Sequence, residues 1–286
     1  MALLEYLYPL VLLCLSLLTG YLLTPHFARL FYQANQLARN YQGERIAQGL
    51  GIIFSLCSLP WYILYLLTGK LFGQWVEPVT VLVFLTACFA ASLLGFLDDI
   101  LGTRDTLGLK GHFRSLLAGK LTTGIIKASG GLLVSFLISI FLSNGFWEIV
   151  INSFLIALFT NLLNLLDLRP GRAIKFYLFL FLAFATGAFL QNSHYSLILL
   201  VPLLGSILGY FPYDLKARCM MGDGGANLLG ISAGILAVLQ TGYQQKLVIL
   251  LLLIIIHAIA EQYSLTELIK NNRILNFVDN LGRKRV

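Results

Sequence analysis

Apolar residues come in long runs along this chain, and polar residues are largely confined to the segments between them. About nine runs of roughly 20 mainly apolar residues stand at about 3–23, 49–69, 77–97, 121–142, 146–166, 173–190, 195–212, 226–242 and 246–264. A helix rising ~1.5 Å per residue needs that length to cross a hydrocarbon core of ~30 Å. None of the runs alternates as a barrel strand would, and a helix satisfies its own backbone hydrogen bonds in lipid. The expected fold class is all-α, a polytopic transmembrane helix bundle of about nine spans, with 1–286 forming a single integral membrane domain. The first run carries Glu5 with no basic residue ahead of it, so it is expected as a membrane span and not as a removable signal peptide.

Composition excludes a soluble surface: 58% of the residues are hydrophobic, 12% are charged, and the mean hydropathy is +0.83. Charge adds a direction. With the N-terminus outside, eighteen of the 20 Lys and Arg residues fall on the cytoplasmic side, and only Lys70 and Lys246 stay outside. That asymmetry predicts a cytoplasmic C-terminus, with 265–286 as a basic tail. The net charge of +7 is therefore partly topological; it does not indicate nucleic-acid binding, although short basic loops suit membrane lipid headgroups or anionic substrates. Cys14, Cys57 and Cys88 lie in predicted spans and Cys219 in an internal loop, with no CxxC pair, so neither a disulfide framework nor a zinc site is indicated.

Three acidic clusters sit at internal ends of spans. Asp98 and Asp99 close the third; adjacent carboxylates at a membrane boundary repel unless a cation offsets them, which suits a metal site, a general base or a solvated helix end. Asn161, Asn164 and Asp167 follow at steps of three near the end of the fifth, so they share an arc of roughly 120° facing the bundle or a cavity. Met221-Gly222-Asp223-Gly224-Gly225 leads into the eighth. Glycines allow close backbone approach there, amides at a helix N-terminus favour phosphate, and an acid in such a turn is explained by Mg²⁺ bridging Asp223 to a pyrophosphate. A plain Gly-rich turn is the alternative. The loop holding Lys110, His112, Arg114 and Lys120 suits a lipid phosphate or an ordinary positive-inside loop, and Lys127-Ala-Ser-Gly-Gly131 reads as close helix packing.

In this order and on one side, the clusters resemble the polyprenyl-phosphate N-acetylhexosamine-1-phosphate transferase family (glycosyltransferase family 4). Gly95-Phe96-Leu97-Asp98-Asp99, Lys120-Leu121, Asn161 through Ala173 and Met221 through Ala226 are similar to its elements, and 39–51 looks like a degenerate form of its first loop. The sequence departs from the pattern in three places. Pro170 stands where the family has a second Asp, Met220 where it has an aromatic, and 265–286 contains no histidine where the family has a His-rich loop.

The resemblance implies transfer of a sugar-1-phosphate, N-acetylhexosamine-1-phosphate in the usual case, from a UDP-sugar to polyprenyl (undecaprenyl) phosphate. UMP is released, at the cytoplasmic face of a bacterial cytoplasmic membrane, for cell-envelope polymer synthesis. On this reading Asp223 ligates Mg²⁺, and Asp98, Asp99 and Asp167 are catalytic. Asn161, Asn164, Lys110, His112, Arg114, Lys120, Gly222 and Gly224 bind substrate. A homodimer is left open. The rivals are a catalytically inactive relative that binds lipid or partner proteins, and a membrane transporter. A transporter would want its acids near the midplane rather than at one face.

Overall fold

The computed structural model describes residues 2–72, 76–102, 123–191 and 195–283. Helices dominate: α1 Ala2–Gln33, α2 Ile53–Phe72, α3 Pro78–Leu101, α4 Thr123–Leu142, α5 Phe146–Leu166, α6 Arg172–Leu190, α7 Tyr195–Ile198, α8 Val201–Leu215, α9 Gly222–Gln240, α10 Tyr243–Gln262, α11 Leu265–Asn271 and α12 Arg273–Asn280. A short antiparallel hairpin of β1 Leu37–Arg39 and β2 Arg45–Ala47, then a 3₁₀ turn at Leu50–Ile52, lies between α1 and α2. Among the described residues, eight helices are long and apolar enough to cross a membrane.

The run at 195–212 differs from expectation. It folds as α7 and then α8, broken at Leu199-Leu200. Pro202 lacks the N–H that would bond back to Ile198, which removes a helical hydrogen bond at the break. The first run differs in the other direction, because α1 continues ten residues past Leu23 through Pro25. Pro25 leaves the Tyr21 carbonyl without its intrahelical donor, and the Tyr213 hydroxyl donates to that carbonyl at 3.1 Å.

At the centre stands α9, buried along nearly all its length against α3, α5 and α6. Small residues make that possible. A Cβ on Gly230 would lie 2.3 Å from the Thr160 Cα, and one on Gly234 would lie 2.7 Å from the Ile156 Cα. The outward faces of α1, α4, α6 and α10 carry exposed Leu, Ile and Phe side chains, the surface that lipid covers in a membrane protein.

Candidate active site

Four elements bring their ends together. The strand-like segment 219–221 ahead of α9 runs beside β2: the Met220 amide donates to the Ala47 carbonyl (2.8 Å), and the Leu50 and Gly51 amides donate to the Met220 and Met221 carbonyls (3.1 and 2.8 Å). The first loop thus aligns the turn that carries Asp223. The C-terminal end of α3 crosses the same turn, and its approach requires glycine. A Cβ on Gly95 would lie 2.3 Å from the Asp223 carbonyl oxygen, and one on Gly222, at φ +70°, would lie 2.5 Å from the Asp99 carboxylate.

The two adjacent acids of α3 have different surroundings. Asp99 accepts from the Asp223 and Gly224 amides, both at 3.1 Å, and from the Gln48 side chain at 3.1 Å. It fills the anion position at the N-terminus of α9. The sequence pattern offers such amides to a substrate phosphate; in the structure two of them, those of Asp223 and Gly224, donate to Asp99, because α3 ends directly against the turn. Asp98 turns the other way. Its carboxylate meets Lys127 of α4 at 3.3 Å, and the same ammonium pairs with Asp223. The Asn164 amide of α5, oriented to suit its neighbours, donates to Asp223 Oδ1 (3.0 Å) and accepts from Lys127 Nζ (2.9 Å).

One ammonium therefore faces two carboxylates and an amide at the meeting of α3, α4, α5 and α9. Its side chain and those of Asp98 and Asp223 are 18%, 20% and 31% exposed, so the cluster is reachable from outside the protein. Lys127 was legible only as part of a packing motif; the missed signal was a lysine inside an apolar run on the same end as the acids. Of the other expected residues, Asn161 is exposed, and its side chain is not part of the Lys127 cluster. Lys110, His112, Arg114 and Lys120 lie outside the described residues.

Asp167 caps the end of α5 and lines a cavity of about 370 Å³ together with Asp99, Asp223, Arg39 and Arg169. Burial, and then the neighbouring carboxylates of Asp214, Asp223 and Asp99, push its carboxyl well above the usual range, with Arg172 opposing. Asp214, a residue the sequence did not single out, is buried and accepts from the Gly171 amide at 2.6 Å, fixing the turn before α6.

The region around Pro170 is braced by the C-terminal tail. Arg172 forms a fork on Asp279 (2.8 and 2.9 Å), Arg283 forms a second (2.6 and 2.9 Å), and Arg283 Nε also donates to the Pro170 carbonyl (2.8 Å). Burial works to raise the Asp279 carboxyl, but the two guanidinium groups outweigh it and hold the group at about 2. Lys175 donates to the Val278 and Asp279 carbonyls at the end of α12. The basic tail is thus docked through one of its own acids.

Among the described residues no three His, Cys, Asp or Glu side chains gather as a metal cage. Asp98 and Asp223 do fit a hard divalent cation that takes one or two carboxylates and completes its shell with phosphate and water, and a cationic ammonium already stands between them.

Residues 81–241 match the model of glycosyl transferase family 4, a stretch that contains Asp98, Lys127, Asn164, Asp167 and Asp223. Curated relatives named phospho-N-acetylmuramoyl-pentapeptide-transferase align as well. The one from Thermotoga neapolitana is 30% identical over 185 residues, covering 62% of this chain and 58% of its own. Those from Streptococcus suis and Streptococcus gordonii are 27% and 29% identical, covering 83% and 82% of this chain and 73% and 75% of their own. This chain thus spans between just under three fifths and three quarters of the length of these relatives. With the family match extending over more than half of the residues and through every helix that builds the polar cluster, the chain belongs to glycosyl transferase family 4.

Proposed function

We propose that the protein transfers a sugar-1-phosphate from a UDP-sugar to undecaprenyl phosphate and releases UMP, at the cytoplasmic face of a bacterial membrane. The supporting observation is the cluster of Lys127, Asp98, Asp223 and Asn164 at the converging ends of four apolar helices, within the stretch that matches the family. The relatives' printed names describe transfer of a phospho-sugar, and the cluster has the charge such a reaction needs.

In the reaction a lipid phosphate oxygen bonds to the donor phosphorus that carries the sugar, and the bond from that phosphorus to the UMP oxygen breaks. A phosphate monoester is largely ionised near neutral pH, so no side chain has to remove a proton from the nucleophile. The protein's part is positioning and charge. Asp223 and Asp98 would hold a Mg²⁺ ion, which would supply neutralisation of pyrophosphate charge. Lys127 meets the same anion from the α4 side, and Asn164 holds Lys127 and Asp223 in register. Asp99 positions the Asp223 turn by accepting from its amides, and it also lines the cavity beside that turn. Asp167 and Arg169 face the donor in the adjoining cavity.

A second reading, lipid binding without catalysis, is favoured by Pro170 standing where the family pattern has an acid. Purified protein in detergent with undecaprenyl phosphate, a panel of UDP-sugars and either Mg²⁺ or EDTA separates the two. Mg²⁺-dependent UMP release that needs the lipid supports the transferase. Lipid binding with no UMP from any donor supports the inactive relative.

A further inference from the structure

Helix α12 is amphipathic with its faces reversed. Ile274, Phe277, Val278 and Leu281 follow the helical spacing of i, i+3, i+4 and i+7 and form one apolar stripe along α12 and its C-cap. On a helix at a soluble surface such a stripe packs inward. Here it faces out: Ile274 is 75% exposed, Phe277 68% and Leu281 58%. The opposite face is the one that packs, through buried Asp279 and the forks it accepts from Arg172 and Arg283.

The tail lies beside the spanning helices and not beyond them. Only Tyr263 and Ser264 separate α10 from α11, and Leu265 and Ile269 of α11 pack against the core. Arg172, in the first turn of α6, donates to Thr266 of α11 at 3.0 Å as well as to Asp279 of α12. Lys175, a turn farther into the same helix, donates to the Val278 and Asp279 carbonyls at the end of α12. The tail is thus held level with the first turn of an apolar helix long enough to cross a membrane, where headgroups meet acyl chains. Tyr263, 60% exposed at the end of α10, is the kind of residue that favours that boundary.

Charge selects the kind of lipid. Over 265–286 five basic residues stand against two acids, and one of those acids is Asp279, already paired. Lys270 and Arg273, where α11 meets α12, are exposed and have no ion-pair partner among the described residues. A basic amphipathic helix at a bilayer boundary is drawn to anionic lipid both by burial of its apolar stripe and by charge.

We propose that α12 is an interfacial anchor. Its apolar stripe sits at the headgroup–acyl boundary of the membrane that the bundle spans, and Lys270 and Arg273 meet the phosphates of anionic lipid. Lipid holds one face of the helix and the forks on Asp279 hold the other, so the turn at Pro170 is braced by a tail fixed from both sides. This anchoring is independent of the chemistry at Asp223.

The test places a nitroxide label, one position at a time, at Ile274→Cys, Leu281→Cys and, on the polar side, Asn280→Cys. The background is the full chain with Cys14→Ser, which removes the exposed native cysteine. Each protein is reconstituted in nanodiscs of phosphatidylglycerol or of phosphatidylcholine. Power-saturation electron paramagnetic resonance then compares collisions with oxygen, which concentrates in the bilayer, and with a water-soluble nickel chelate. In phosphatidylglycerol the oxygen-to-nickel ratio is expected to be about fivefold higher at 274 and 281 than at 280, as seating one face of a helix in the boundary gives. In phosphatidylcholine that contrast should fall by about half, because the attraction of the two cations is lost. In Lys270→Gln/Arg273→Gln the two lipids should give the same contrast. Labels equally open to nickel at all three positions in both lipids place the stripe in water and overturn the proposal, as does a lipid preference that persists in the double variant. Labels at 274 and 281 that are shielded from both reagents and broadened by a label on another copy assign the stripe to a second copy of this chain, and likewise overturn it.

Discussion

Each end of the bundle holds a lysine against carboxylate, and the two arrangements differ in stoichiometry. On α5 the two ends are marked by Glu148 and Asn164, sixteen residues or ~24 Å apart. At the Glu148 end, Lys246 pairs at 2.7 Å with Glu148, its one ion-pair partner among the described residues, and the other Glu148 oxygen accepts from the Asn144 amide at 3.0 Å. One cation meets one anion, and the anion also favours the N-terminus of its helix. At the Asn164 end, Lys127 faces both Asp98 and Asp223, with Asn164 between. One negative charge is left over. The first arrangement is balanced by itself; the second carries an excess carboxylate, which the proposed Mg²⁺ would balance. Exposure does not separate them, since Glu148 is 24% exposed and Asp98 20%. An ion pair reads as structural or functional from its charge balance more than from its depth.

Neutralising each lysine or its partner breaks the comparison where it is strongest. Lys127→Met should lower UMP release by on the order of 100-fold, the scale for loss of one electrostatic contact to a transferring group. Thermal stability with Mg²⁺ present should hold, because the two carboxylates lie near solvent and a divalent cation can replace the ammonium between them. A full-rate Lys127→Met protein would remove the lysine from the site. Glu148→Gln should do the opposite: turnover per folded molecule unchanged within about twofold, and stability lower by about 1–2 kcal/mol for a partly exposed pair. A large loss of turnover with an unchanged melting temperature would show that the far end takes part in the chemistry.

A smaller and local effect is expected at the tail. Asp279→Asn leaves two guanidinium groups without their shared carboxylate, so hydrogen exchange across 273–280 should accelerate while the spanning helices keep their protection. The same contact has a pH signature. The Asp279 carboxyl is held at about 2, below its ordinary 3.8, so docking gains stability above the ordinary value and loses it as pH falls toward 2. Exchange in the tail that ignores both the substitution and a drop in pH from 6 to 3 would mean that Asp279 does not fasten it.

Most spanning helices were legible because an apolar run bounded by Gly or by charged residues has one stable solution in lipid: α5 and α6 follow the runs at 146–166 and 173–190 almost residue for residue. Where the reading failed, the deciding partner lay far along the chain. The carbonyl that Pro25 leaves open in α1 is met by a hydroxyl 192 residues away at Tyr213, and nothing near Pro25 announces it. The acids of the site were legible as carboxylates at span ends, but their roles were not. Asp98 and Asp99 are neighbours in sequence, and only the crossing of α3 over the Asp223 turn gives one to Lys127 and the other to backbone amides. Lys127 itself was obscured by the small residues after it, and Asp214 by lying at the end of an apolar helix, with its partner Gly171 on another turn.

The most direct measurement is Mn²⁺ binding, followed by electron paramagnetic resonance as a reporter for Mg²⁺, in wild type, Asp223→Asn and Glu148→Gln, each with UDP-N-acetylglucosamine present. Asparagine keeps the size and hydrogen bonding of Asp223 and removes the charge that a hard cation needs. The account predicts one bound Mn²⁺ in the wild type and in Glu148→Gln, at least tenfold weaker binding in Asp223→Asn, and loss of Mg²⁺-dependent UMP release in the same variant. Wild-type Mn²⁺ affinity and near-normal turnover in Asp223→Asn would contradict it, leaving Asp223 as a helix cap and the cluster around Lys127 as a structural ion pair like that at Lys246.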